Sequence, residues 1–133
     1  VLLPVSCLLR RADAVEVIGA ALRAAAAGGG HRRVAVLIER PASTVRGWLR
    51  RFEARAGPLR RAFTTLACSL DVDPRVPEPA ESALADAVTA IMATARAVWT
   101  RWPDLVLTVS VWQVASAVTS GRLLAPTLTL ESI

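Results

Sequence analysis

Most apolar residues of this chain recur three or four positions apart, the spacing that places side chains on one face of an α-helix. Val15, Ile18, Ala21 and Leu22 define a first helix from Ala12 to Ala27; Asp13 and Glu16 suit its N-terminal dipole, and Gly28, Gly29 and Gly30 end it. A short second helix fits Arg32 to Ile38 with Val34, Ala35 and Ile38 inward. Glu39-Arg40-Pro41 then forms a tight turn, because the residue before a proline is pushed out of the helical region. A third helix runs from Ala42 to Ala56, with Val45, Trp48, Leu49 and Phe52 on one stripe. Gly57-Pro58 stops or kinks it, and Leu59 to Leu70 continues as a fourth helical piece.

The closely spaced prolines at Pro74, Pro77 and Pro79 remove backbone donors, so residues 71–79 read as a linker. Beyond it, Leu84, Ala87, Val88, Ile91, Ala95, Val98 and Trp102 define a long amphipathic helix from Ala80 to Trp102, closed by Pro103. The β-branched stretch Leu105 to Val109 is compatible with extended backbone. Ser110 and Gln113 form a capping box for a last helix, Val111 to Thr119, with Gly121 as its C-terminal stop. The pattern therefore predicts an all-α chain: residues 1–70 as a helical bundle, 71–79 as a linker and 80–133 as a smaller helical region. A length of 133 residues suits one modest core with a small satellite.

The net charge of +5 is carried entirely by arginine, and alanine is abundant, as coding bias in a GC-rich genome produces. The placement of the charge therefore says more than its total. Nine arginines, Arg32, Arg33, Arg40, Arg46, Arg50, Arg51, Arg55, Arg60 and Arg61, face only Glu39 and Glu53 between residues 32 and 61, a local charge of +7. The remainder of the chain is slightly acidic. The two cysteines, Cys7 and Cys68, lie far apart with no histidine or second cysteine at ligand spacing. No metal, cofactor or disulfide framework is expected, and reduced thiols point to the cytoplasm. The apolar opening lacks the basic n-region and cleavage site of a signal peptide. The uncharged run from Leu105 to Gly121 is shorter than the ~20 residues of a membrane span, so no membrane partner is expected.

A helix-turn-helix requires a small residue in its first helix, apolar residues on the inner face of its second, and free polar or basic side chains on the outer face that enters the major groove of double-stranded DNA. Ala35 meets the first requirement, and Val45, Trp48 and Leu49 meet the second. Ala42, Ser43, Thr44, Arg46, Gly47 and Arg50 remain as the outer face, with Ser43 and Thr44 suited to phosphates and Arg46 to a guanine edge. Arg32, Arg33 and Arg51 are placed to grip phosphates. Gly47 costs ~1 kcal/mol in a helix interior, which either a close backbone approach to a partner or simple drift would explain.

Residues 31–52, HRRVAVLIERPASTVRGWLRRF, resemble the homeodomain-like helix-turn-helix of transposase-type proteins from actinobacterial insertion elements. The flanks Ala14 to Leu22 and Gly121 to Pro126 resemble the same group. The resemblance implies a double-stranded DNA binder. It also implies a truncated or decayed copy, because the cysteine-rich zinc ribbon that often precedes the first helix in that group has no counterpart here. Glu39 occupies a turn position usually held by glycine, where a left-handed backbone costs a side-chain-bearing residue on the order of 1 kcal/mol.

Catalysis by the chain alone is not expected, because Asp71, Asp73, Asp86 and Asp104 lack the sheet scaffold on which a transposase positions its carboxylates. His31 has no partner base in the sequence and reads as a helix-flanking surface residue. The four tryptophans, Trp48, Trp99, Trp102 and Trp112, read as packing residues. A rival reading is a helical interaction or homodimerisation module, using the long helix and the last helix and no longer binding DNA.

Overall fold

The first helix, α1 (Val5–Ala26), begins seven residues before the position expected from its apolar periodicity in the computed structural model. Residues 5–70, 82–119 and 123–124 are described, with side chains from residue 15 onward. Between Val5 and Ala12 the sequence holds neither glycine nor proline, so nothing there interrupts helix propagation. The helix stops where the glycines begin. Gly28 adopts φ 104°, and its N–H donates to the Ala25 carbonyl while that of Gly29 donates to Ala24, both at 3.0 Å. This is a Schellman closure, and only glycine enters its left-handed position without strain.

Among the described residues the architecture is all-α: α1, α2 (His31–Ile38), α3 (Ala42–Glu53), α4 (Ala56–Leu70), α5 (Ala83–Arg101), a 3₁₀ turn (Pro103–Leu107) and α6 (Val111–Val118). Other boundaries also differ from the sequence expectation. The break after α3 falls at Ala54-Arg55, and Gly57-Pro58 lies in the first turn of α4. A proline there loses no helical hydrogen bond, because first-turn N–H groups have no intrahelical acceptor. α5 starts at Ala83, where the Ser82 hydroxyl accepts from the Ala85 N–H at 3.1 Å. Leu105 to Val109, whose β-branched residues are compatible with extended backbone, instead coils: Pro103 opens a 3₁₀ turn and the N–H groups of Thr108 and Val109 both donate to the Leu105 carbonyl.

The capping box of α6 forms as the sequence implies. Ser110 Oγ accepts from the Gln113 N–H at 3.1 Å, and Gln113 Oε1 accepts from the Ser110 N–H at 2.8 Å. The same hydroxyl donates to Glu16 of α1, joining residues 94 positions apart. Gly121 and the 71–79 segment lie outside the described residues.

Two hydrophobic clusters hold the helices together. The larger contains Leu22, Phe52, Leu59, Phe63, Ile91, Ala95, Trp112 and Ala115, drawing on both sides of the 71–79 segment. The smaller contains Ala21, Val34, Ala35 and Val45, with Trp48 and Ile38 packed against it, and Leu49 touches both. α5 lies at the centre, packed on α4 most extensively and also on α1, α3 and α6. Its predicted stripe of Leu84, Ala87, Val88, Ile91 and Ala95 is buried, but so are Ala85, Ala90, Thr94 and Ala97, because a helix sandwiched between neighbours is covered on more than one face. Thr94 is fully buried, and its hydroxyl is shared between the Phe63 carbonyl of α4 at 2.8 Å and the Ala90 carbonyl at 2.9 Å.

α1 and α6 meet at Gly19, where a Cβ would stand 2.2 Å from carbons of the buried Trp112 indole. Trp99 is half-buried and its indole N–H donates to the Val109 carbonyl at 3.1 Å. Trp102 departs from the packing role expected of it: it is 46% exposed, because the helix ends at Arg101 and the chain leaves the helical phase one residue early. The Arg101 guanidinium lies over its ring at 5.4 Å. No helix of the described residues is long and apolar enough to cross a membrane.

Candidate nucleic-acid interface

The basic segment of the sequence folds as α2, a three-residue turn and α3, both helices resting on α1. Ala35 is 5% exposed in the cluster that joins these helices, so its small side chain sits where α2, α3 and α1 converge. α2 ends on Glu39 at φ 56° and ψ 51°, the one non-glycine residue with positive φ among those described. The Arg40 N–H donates to the Ala35 carbonyl at 3.1 Å, a second Schellman closure with glutamate in the glycine position. The Arg40 guanidinium reinforces the turn by donating to the Glu39 carbonyl at 3.0 Å. Pro41 then precedes α3, and the first intrahelical bond of α3 runs from the Val45 N–H to the Pro41 carbonyl.

Burial of Val45 and Phe52 fixes the rotation of α3 about its axis. At 100° per residue the direction opposite those two is occupied by Ser43, Gly47 and Arg50, an i, i+4, i+7 ridge. Ser43 and Arg50 are exposed, and Gly47 is half-exposed between them. Ala42 and Arg46 flank the ridge on one side, Thr44 and Arg51 on the other. No side chain caps the start of α3, so the N–H groups of Ala42, Ser43 and Thr44 point outward without an intrahelical acceptor. Arg51 folds back along the helix and donates from Nε to the Gly47 carbonyl at 3.2 Å. A Cβ on Gly47 would meet only the Arg51 guanidinium, at 3.2 Å, so packing within the chain does not require glycine at this position.

The remaining sequence-predicted residues lie around this ridge. Arg32 lines a shallow depression over the turn together with Val36, Pro41 and Ala42, and Arg33 is exposed on α2. Farther along α3, Arg46, Arg50 and Glu53 share a cleft of about 450 Å³ with His31, with the N-cap Ser82 and with Leu84 of α5. His31 is thus not the isolated flanking residue expected from the sequence; it is half-buried as the first residue of α2 and forms part of a cleft wall. No sequence signal marks that role, because the opposite wall comes from α5, more than fifty residues away along the chain. Val36 and Leu37, 79% and 67% exposed, extend the outer surface of α2 with apolar side chains.

Comparison with known protein families, curated proteins and solved structures finds no match to this chain.

Proposed function

We propose that the chain is a non-catalytic double-stranded DNA-binding module, with α2, the Glu39 turn and α3 acting as a homeodomain-like helix-turn-helix and α3 entering the major groove. The observation that carries this reading is the outward ridge of Ser43, Gly47 and Arg50, with Ser43 and Arg50 exposed and only the Arg51 side chain laid against Gly47, within a segment of local charge +7. A helix about 10–12 Å across fits the major groove, and its open N-terminus and flanking arginines supply phosphate contacts. The resemblance of residues 31–52 to transposase-type proteins of insertion elements supports the same reading. Under it, Arg32 and Arg33 approach the backbone from α2, while Ser43, Gly47 and Arg50 face base edges.

The test is fluorescence anisotropy on a GC-rich duplex pool across a salt series. Neutralising four to six phosphates gives a log affinity that falls with log salt at a slope of about −4 to −5. Arg50→Ala then lowers affinity for the preferred sequence by about 1–3 kcal/mol and relaxes base preference. Binding no tighter than that of an arginine-rich control peptide, and insensitive to Arg50, refutes the reading. In that case the exposed apolar residues Trp102, Val106 and Leu107 at the 3₁₀ turn favour a second one, a protein-interaction or homodimerisation module.

A further inference from the structure

The cleft between α3, the start of α2 and the start of α5 brings three nitrogen bases together. His31, Arg46 and Arg50 line it, and among the described residues none of the three side chains has a hydrogen bond or ion pair. Among the described residues, Ser82 and Leu84 form the wall at the start of α5, and Glu53 is the single carboxylate lining the space. Two fixed positive charges and a titratable imidazole therefore converge on a concavity of about 450 Å³, ample for a tetrahedral oxyanion. Gly30 precedes α2 without a side-chain cap, so the free N–H groups of that helix's first turn lie at the same place.

Arg46 reaches this cleft because it stands on the flank of α3, some 60° to 70° around the axis from the centre of the exposed ridge. A side chain in that position leans toward the edge of a groove occupied by α3, where the sugar-phosphate backbone runs. We propose that the cleft clamps one phosphodiester of the bound duplex between Arg46 and the protonated imidazole of His31. Arg46 is then a backbone-positioning residue and not a reader of guanine. The inference rests on the DNA-binding reading and assigns a role to a histidine that reading leaves unused.

A phosphate accepts more strongly from an imidazolium than from a neutral imidazole, so the clamp makes duplex affinity rise as pH falls from 8 to 5.5. The experiment measures anisotropy of the full chain on a preferred duplex and on a scrambled one, from pH 5.5 to 8, for wild type, His31→Gln and Arg46→Ala. Far-ultraviolet thermal melts confirm folding of each variant. Loss of one phosphate contact in Arg46→Ala lowers affinity about eightfold at 0.1 M salt, from a slope of about 0.9 per phosphate, equally on both duplexes. In His31→Gln the rise in affinity toward pH 5.5 disappears. Duplex binding whose pH dependence survives His31→Gln, or a loss in Arg46→Ala confined to the preferred sequence, overturns the clamp and leaves DNA binding standing. Absence of duplex binding by the wild type overturns both.

Discussion

Replacing Gly19 by alanine tests the junction between α1 and α6. In an isolated helix the change is favourable by about 1 kcal/mol, because glycine loses more backbone freedom on becoming helical. Here the added methyl would lie 2.2 to 2.3 Å from three indole carbons of Trp112, against an ordinary carbon contact of about 3.5–4.0 Å. The ring must move by more than an ångström, yet it is only 4% exposed and packed in the main core with Ile91 and Ala115. Overpacking of a filled core costs about 1–3 kcal/mol, and the size of this overlap places it at the upper end. The net effect is a loss of about 2 kcal/mol. With an unfolding entropy near 2.1 cal/mol/K per residue, that lowers the Tm of a 133-residue chain by about 7 °C. The assay is thermal unfolding by circular dichroism of Gly19→Ala, Trp112→Ala and the double variant. In the Trp112→Ala background the atoms that clash, Cγ and the two Cδ carbons, are gone, and Gly19→Ala becomes neutral or stabilising. A wild-type background in which Gly19→Ala raises the Tm refutes the close approach of α1 to α6.

Glu39→Gly relieves a left-handed backbone held by a side-chain-bearing residue and stabilises the chain by on the order of 1 kcal/mol, read as a higher Tm; an unchanged or lower Tm refutes the strain at φ 56°. Gly47→Ala raises stability by about 1 kcal/mol, since the new methyl displaces only the movable end of Arg51, and weakens duplex binding because the backbone no longer approaches the groove as closely. A stabilised variant with undiminished affinity separates Gly47 from the interface. Thr94→Val keeps shape but removes the hydroxyl linking α5 to the Phe63 carbonyl, costing about 1 kcal/mol in a urea titration; no shift of the midpoint refutes a net contribution from that bond.

Where local chemistry decides an element, the sequence was a good guide. The glycines after α1, the Pro41 entry into α3 and the Ser110–Gln113 capping box act over a few residues and appear where their residue types place them. The left-handed backbone at Glu39 was expected only from the resemblance to helix-turn-helix proteins, since no glycine marks it. Where a partner element decides, it was silent. The double-sided burial of α5 depends on α4 and α1 closing on it from different directions, which a single apolar stripe does not encode. Trp102 fits the periodicity and yet faces solvent, because Pro103 follows it and the helix ends one residue earlier. The candidate interface divides similarly: the Ser43–Gly47–Arg50 ridge follows from the positions of Val45 and Phe52 alone. The His31 cleft requires knowing that the start of α5 folds back beside α3.

The Gly19 notch bears on the order in which the chain is assembled. Residues 15–53 carry every member of the small cluster formed by α1, α2 and α3, so that corner can close from a short length of chain. The notch on the other face of α1 is filled by a residue more than ninety positions later, and the Glu16–Ser110 bond spans 94. Closing so long a loop costs more chain entropy than any local contact in the fold and is rewarded only once α6 exists. During synthesis from the N-terminus, α1 therefore carries an unfilled apolar groove until α6 has been made, and the ridge-bearing corner takes shape before the body that supports it.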